Sequence, residues 1–222
     1  SEMCIRDSRR AALGIIRTIL ANDLKIDLVK LINETLLLLP VSTEGESMLD
    51  KVKNLTGSCT NRLSGKCSEE INEFFIQRLI IFLSEKYDKN VLEACAANKN
   101  PLADLTDYIK RVEVVSELNS PAMLESANRV ARILKEDSKK AVNKSLFKEP
   151  AENMLLEQIN TVNEDMDYRT YLKQLEEINP SVEKFFNDVL VMDKDENVKE
   201  NRLAILTLLK AKYNHLADFS RL

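Results

Sequence analysis

Arg129, Arg132 and Lys135 stand three residues apart, a spacing that stacks cations into one ridge on a helix. Such a ridge can neutralise a polyanion, because arginine forks onto phosphate oxygens and lysine offers a point charge. The ridge lies in a stretch of like charge. Between Ser126 and Lys148, Arg129, Arg132, Lys135, Lys139, Lys140, Lys144 and Lys148 are opposed only by Glu136 and Asp137. From Ala151 to Asn201 the balance reverses, with 13 acidic against 5 basic residues. A basic segment beside an acidic one orients a bound polyanion. Taken alone, the same pattern also describes a solvated helix face.

Residues for other chemistry are missing. His215 is the only histidine, so neither a histidine metal cluster nor a Ser/His/Asp triad with a spare imidazole can be built. Its place near the C-terminus of a helical pattern reads as a surface or half-buried position. There is no G-x-x-x-x-G-K-[ST] or G-x-G-x-x-G motif to cradle phosphate. Cys4, Cys59, Cys67 and Cys95 are scattered, without zinc-ligand spacing or the density of a disulfide scaffold. Asp165, Asp167, Asp193, Asp195 and Glu196 fall in loops and helix starts, where carboxylates cap and solvate. Catalytic residues and metal ligands are therefore expected to be absent.

The elements that carry the ridge are helical. Apolar residues make up 44 % and charged residues 31 %, with four glycines, no tryptophan and a net charge of −4, a mix suited to an all-α protein. No apolar run approaches the roughly 18 residues of a membrane span. Ala12, Leu13, Ile16, Ile19 and Leu20 follow helical spacing within Arg9–Leu20. A second helix is expected from the N-cap Asp27 to Pro40, then an irregular stretch over 41–67, with helix resuming at Ser68. Short helices follow around Val91–Ala97 and up to Leu118. Pro121 and Pro150 sit where helices begin without losing a hydrogen bond, predicting helices to Asp137 and Val162. Tyr168–Ile178, Pro180–Leu190 (capped by Asn179) and Asn197–His215 complete the pattern. Two consecutive helical bundles are expected, over residues 9–119 and 120–222. Aromatics at helical spacing, Phe185 and Phe186 among them, read as core, together with Leu203 and Leu206.

The first eight residues stand apart. Met3-Cys4-Ile5-Arg6-Asp7-Ser8 is what a common transposon sequencing adapter yields on translation. Ser1–Ser8 are therefore expected to be an artefact, with the protein extending further N-terminally.

Several blocks resemble the β subunits of bacterial glycyl-tRNA synthetases. Arg9-Arg10-Ala11-Ala12-Leu13-Gly14-Ile15-Ile16-Arg17 is similar to the segment closing their HD-like domain. Ala127-Asn128-Arg129-Val130-Ala131-Arg132-Ile133-Leu134-Lys135 resembles a Lys-Arg-Val-Ala-Asn-Ile-Leu helix, with Arg132 where asparagine is common. Leu146-Phe147-Lys148-Glu149-Pro150-Ala151-Glu152 resembles a Leu-Phe-Glu-Glu-Pro-Ala-Glu turn. Phe185-Phe186-Asn187-Asp188-Val189-Leu190-Val191-Met192, Asn201-Arg202-Leu203-Ala204 and the closing Leu216-Ala217-Asp218-Phe219-Ser220-Arg221-Leu222 resemble the anticodon-binding domain that these subunits share in architecture with arginyl-tRNA synthetases.

The resemblance implies a C-terminal tRNA-binding portion of the glycine–tRNA ligase β subunit, supporting ATP-dependent glycyl-tRNA formation by gripping the anticodon arm. It implies glycine tRNA and the ligase α subunit as partners, in a cytoplasmic heterotetramer of two α and two β subunits. ATP and Mg²⁺ would serve the holoenzyme, with no cofactor held by this chain. It raises Arg129, Arg132 and Lys135 to RNA-positioning residues and adds Asn201 and Arg202, from a matched block after the Val191-Met192 turn. Two other readings are a helical interaction scaffold without RNA, which the acidic net charge suits, and the anticodon domain of an arginyl enzyme. Against the latter, Ala217-Asp218-Phe219-Ser220 follows the glycyl β pattern.

Overall fold

The computed structural model describes the backbone of residues 2–38 and 60–222, and side chains over residues 6–36 and 68–222. Every regular element among the described residues is a helix: α1 (Glu2–Ala21), α2 (Leu28–Leu38), α3 (Thr60–Leu83), α4 (Lys89–Ala96), α5 (Leu105–Ser116), α6 (Pro121–Ile133), α7 (Pro150–Thr161), α8 (Tyr168–Asp188) and α9 (Glu196–Leu216). Short 3₁₀ turns lie at Lys144–Leu146 and Phe219–Arg221. The chain divides into two compact units, Ser1–Tyr87 with Lys99–Ile109, and Asp88–Asn98 with Lys110–Leu222.

In the first unit, α1 and α2 both pack on α3. Ala12, Ile16 and Ile19 are buried, the face that their spacing predicts. α1 ends before Asp23, which takes a left-handed φ of 48°, a conformation that aspartate tolerates better than most residues. Asp27 then caps α2, its Oδ1 accepting from the Lys30 amide at 2.9 Å. Residues 60–67, expected to be irregular, already belong to α3; the expected loop residues 41–59 and the stop at Pro40 lie outside the described residues. α1 also runs through residues 2–8.

The second unit is built on α7, α8 and α9, with α6 packed against α8 and α9. Leu155, Tyr171, Phe185, Ile205, Leu209 and Phe219 are wholly or almost wholly buried in it. A buried arginine joins its outlying segment to the C-terminal tail. Arg111 is 1 % exposed, and its Nη1 donates to the Cys95 carbonyl (2.6 Å) and the Leu216 carbonyl (3.0 Å). The Asp218 amide donates to the Ala94 carbonyl at 3.0 Å. These bonds tie α4 to the C-terminal tail within the second unit, which takes in Asp88–Asn98 and the chain from Lys110.

Two helix expectations change. Tyr168–Asp188 is one helix with Pro180 inside it, not two helices meeting at an Asn179 cap. Proline there leaves the Glu176 carbonyl without its donor, but burial of Ile178, Val182, Phe185 and Phe186 on one side favours an unbroken rod. Burying side chains of this size is worth about 1.5–3 kcal/mol each. Second, α6 stops at Ile133, short of Asp137.

Candidate nucleic-acid interface

Helix α6 buries Met123, Ser126, Ala127 and Val130, which leaves Arg129 and Arg132 on the solvent side. The Arg129 guanidinium lies 4.4 Å above the Phe186 ring centroid, and its Nη2 donates to the Phe186 carbonyl at 3.4 Å. Phe186 is itself packed edge-on against Phe185, with centroids 5.7 Å apart. Stacking holds the guanidinium flat while its outer edge keeps the geometry that forks onto phosphate. One turn on, Arg132 Nε donates to the Asn128 carbonyl at 3.3 Å.

Lys135 is not on this ridge. Leu134 leaves helical geometry (φ −84°, ψ 83°) while its amide still bonds the Val130 carbonyl, and its side chain is buried. The helical ridge is thus a pair of arginines. Lys135 opens the segment that connects α6 to α7.

That connection is strapped along α9. Lys210 Nζ reaches Asp137 Oδ1 at 2.7 Å, and the Ser138 amide donates to Thr207 Oγ1 at 3.0 Å. The Asn143 amide donates to Asn201 Oδ1 at 2.7 Å, and Asn201 Nδ2 returns a bond to the Asn143 carbonyl at 3.1 Å. The partners on α9 descend as the strap ascends, so the two run antiparallel. At the far end, the Lys148 and Glu149 amides donate to Glu152 Oε2 at 2.7 and 2.8 Å. Lys139, Lys140 and Lys144 remain exposed.

Asn201 and Arg202 are interior residues, 3 % and 2 % exposed. Arg202 Nε donates to Glu152 Oε1 at 3.0 Å, and Nη1 donates to Asp193 Oδ2 at 2.9 Å and the Leu190 carbonyl at 2.8 Å. Glu152 is fully buried, so its charge requires this cation. The Asp195 amide, with Lys148 and Arg202 nearby, holds the Asp193 carboxyl below the ordinary carboxylate range. Both residues therefore meet the chain itself, not the solvent side that carries Arg129 and Arg132. The signal for this was Glu152, three residues after Glu149-Pro150, the position from which a carboxylate turns back onto a helix start.

Elsewhere the polar residues have structural surroundings. His215 sits half-buried in the last turn of α9, its ring 4.8 Å from that of Tyr171 and 5.7 Å from that of Tyr168. Burial pushes the Cys95 thiol up to about 12, against the pull of Arg111; the side chains of Cys4, Cys59 and Cys67 lie outside the described residues. Among the described residues no group of three or more His, Cys, Asp or Glu side chains is placed to hold a metal ion, and no helix is long and apolar enough to cross a membrane. Phe185, Phe186 and Leu206 are core as expected, while Leu203 is half-buried.

The family model for the DALR anticodon binding domain matches residues 123–215, from the first turn of α6 to the last turn of α9. The chain is 34 % identical, over 96 % of its length, to the glycine–tRNA ligase β subunit of Shewanella denitrificans, covering 30 % of that protein. Shewanella sp. strain MR-4 and Shewanella sediminis have β subunits that match at 33 % and 32 % identity with the same coverage. The chain thus spans about a third of the length of these relatives. Residues 123–215 match the DALR anticodon binding domain, and nearly the whole chain aligns with a part of the glycine–tRNA ligase β subunits of these Shewanella species.

Proposed function

We propose that the chain binds glycine tRNA through its anticodon arm, as the tRNA-gripping part of a glycine–tRNA ligase β subunit. The observation that carries this reading is the coincidence of the DALR match with the unit whose outer helix presents Arg129 and Arg132. Phosphate contacts from these arginines position the stem-loop, and contacts to unpaired bases read it. The chain's share of aminoacylation is binding and orientation. A ligase α subunit, in a cytoplasmic heterotetramer of two α and two β subunits, supplies glycine activation with ATP and Mg²⁺.

The test is binding of the full chain to a glycine tRNA transcript and to the same transcript with its anticodon replaced, across a salt series. Tighter binding to the intact anticodon is expected, with affinity falling as salt rises. Arg129→Ala and Arg132→Ala should each weaken binding and lower the salt slope by about one. Equal, weak and salt-insensitive binding of both RNAs would overturn the reading and favour a helical interaction scaffold.

A further inference from the structure

Unopposed positive charge lies not only on the arginine pair but also on the strap that follows it. Lys139, Lys140 and Lys144 are exposed, and none meets a carboxylate among the described residues. Of the two acids just before them, Asp137 is held by Lys210, while Glu136 stays exposed. Lys148, at the strap's end, is tied to Asp193 at 3.4 Å.

The backbone beneath these lysines is fixed from one side. Ser138 is bound to Thr207, and Asn143 is bound through both its amide and its carbonyl to Asn201. The Asn143 side chain then accepts from the Ser145 amide at 3.0 Å, setting the 3₁₀ turn that carries Lys144. A mobile loop of lysines loses conformational freedom when it binds, whereas an anchored one has lost part of it already.

We propose that the strap from Lys135 to Lys148 is a phosphate-tracking surface for one strand of the bound RNA, and that Asn201 is the residue that positions it. This rests on the RNA-binding reading above and extends it beyond the arginine pair. Lysine is a point charge without a planar fork, and Phe147, the strap's one aromatic, is half-buried. The strap therefore suits phosphate oxygens rather than base edges or base faces. The four steps from Lys140 to Lys144 reach at most about 14 Å. With Lys139 they address a run of neighbouring phosphates on one strand. Contacts to phosphates alone give the strap affinity and register without sequence preference.

The experiment compares the full chain with a Lys139→Ala/Lys140→Ala/Lys144→Ala variant, using glycine tRNA and the anticodon-replaced transcript across a salt series. All three substitutions are at exposed positions, so thermal unfolding should match the parent. Binding of both RNAs should weaken by the same factor, roughly ten-fold at low salt, with the salt slope lower by about two to three. The preference between the two RNAs should be unchanged. Lys173→Ala, an exposed lysine on α8, should leave affinity and slope as they are.

Asn201→Ala should weaken binding roughly three-fold in the parent and add nothing to the triple variant, because its effect passes through the lysines it positions. Thr207→Val, which removes the Ser138 anchor at similar size, gives the same non-additive pattern and serves if Asn201→Ala unfolds the chain. A triple variant with parental affinity and slope, in a chain that still discriminates anticodons, overturns the strap and leaves the anticodon reading standing. A parent that binds neither RNA overturns both. Equal losses from Asn201→Ala and Thr207→Val in the two backgrounds remove the positioning role.

Discussion

Arg202 and Arg129 are the same residue type put to opposite uses. Arg202 is buried and answered by two carboxylates, Glu152 and Asp193. Arg129 is exposed, supported by an aromatic ring and one carbonyl. What separates them is delivery of a carboxylate. Pro150 starts α7 and places Glu152 in its first turn; from there the carboxylate takes two amides of its own chain and the Arg202 guanidinium. Glu125 stands one turn before Arg129 on α6 but forms no ion pair with it. An arginine whose charge the fold has already matched holds loops together, and one left unmatched remains available to an external anion.

The largest effect that tests this contrast comes from breaking the inner pair. Glu152→Ala leaves Arg202 buried beside a lost partner and should cost about 3–5 kcal/mol, read from the urea midpoint. Replacing both partners with methionine should cost less than Glu152→Ala, because no uncompensated charge remains inside. A cost below about 1 kcal/mol for Glu152→Ala would mean that the buried pair does not organise the second unit.

Arg111 extends the comparison, since its Nη1 donates to carbonyls near the C-terminal ends of α4 and α9. Those ends carry partial negative charge, which favours the guanidinium. Arg111→Met should cost about 1.5–3 kcal/mol, less than Glu152→Ala. The reverse ranking would make the Arg111 bonds the stronger tie in the second unit.

Much of the fold was legible because it depends on period and on local caps. Ala12, Ile16 and Ile19 announced the buried face of α1, and Asp27, Pro121 and Pro150 marked helix starts that the structure keeps. The unbroken α8 was not legible, because Pro180 is a local breaker and only burial on both sides of it overrides that signal. The end of α6 was missed for the same kind of reason: the charge pattern continued to Lys135, but burial of Leu134 turned the chain away.

At the candidate site, sequence pattern picked out the basic region over residues 126–148 but could not tell exposed residues from those that support the fold. Asn201 and Arg202 read as ligand-facing because their partners, Asn143, Glu152 and Asp193, lie up to 58 residues away. Lys139, Lys140 and Lys144 counted toward the basic segment but not among the candidate site residues, because nothing local says that α9 holds their backbone.

A smaller effect is expected on the outside. Arg129→Ala removes a guanidinium stacked on Phe186 and should cost about 0.5–1 kcal/mol of stability, since the cation–π contact is partly exposed. Arg129→Lys should keep most of the charge but lose the planar fork. Its RNA affinity should therefore fall between those of the parent and the alanine variant. A stability loss as large as that of Glu152→Ala would place Arg129 among the supports.

Arg132→Ala should change stability least, by no more than about 0.5 kcal/mol. Arg132 is exposed, and its Nε bond to the Asn128 carbonyl, at 3.3 Å, lies within its own helix turn. In the RNA titration the same variant should lower the salt slope by about one. Loss of RNA binding without loss of stability is the signature of an unmatched cation, and Arg202 cannot produce it, because any change there unsettles the fold first. If Arg132→Ala leaves both quantities unchanged, the outward arginine pair reduces to Arg129 alone, and the main electrostatic grip passes to the lysines anchored on α9.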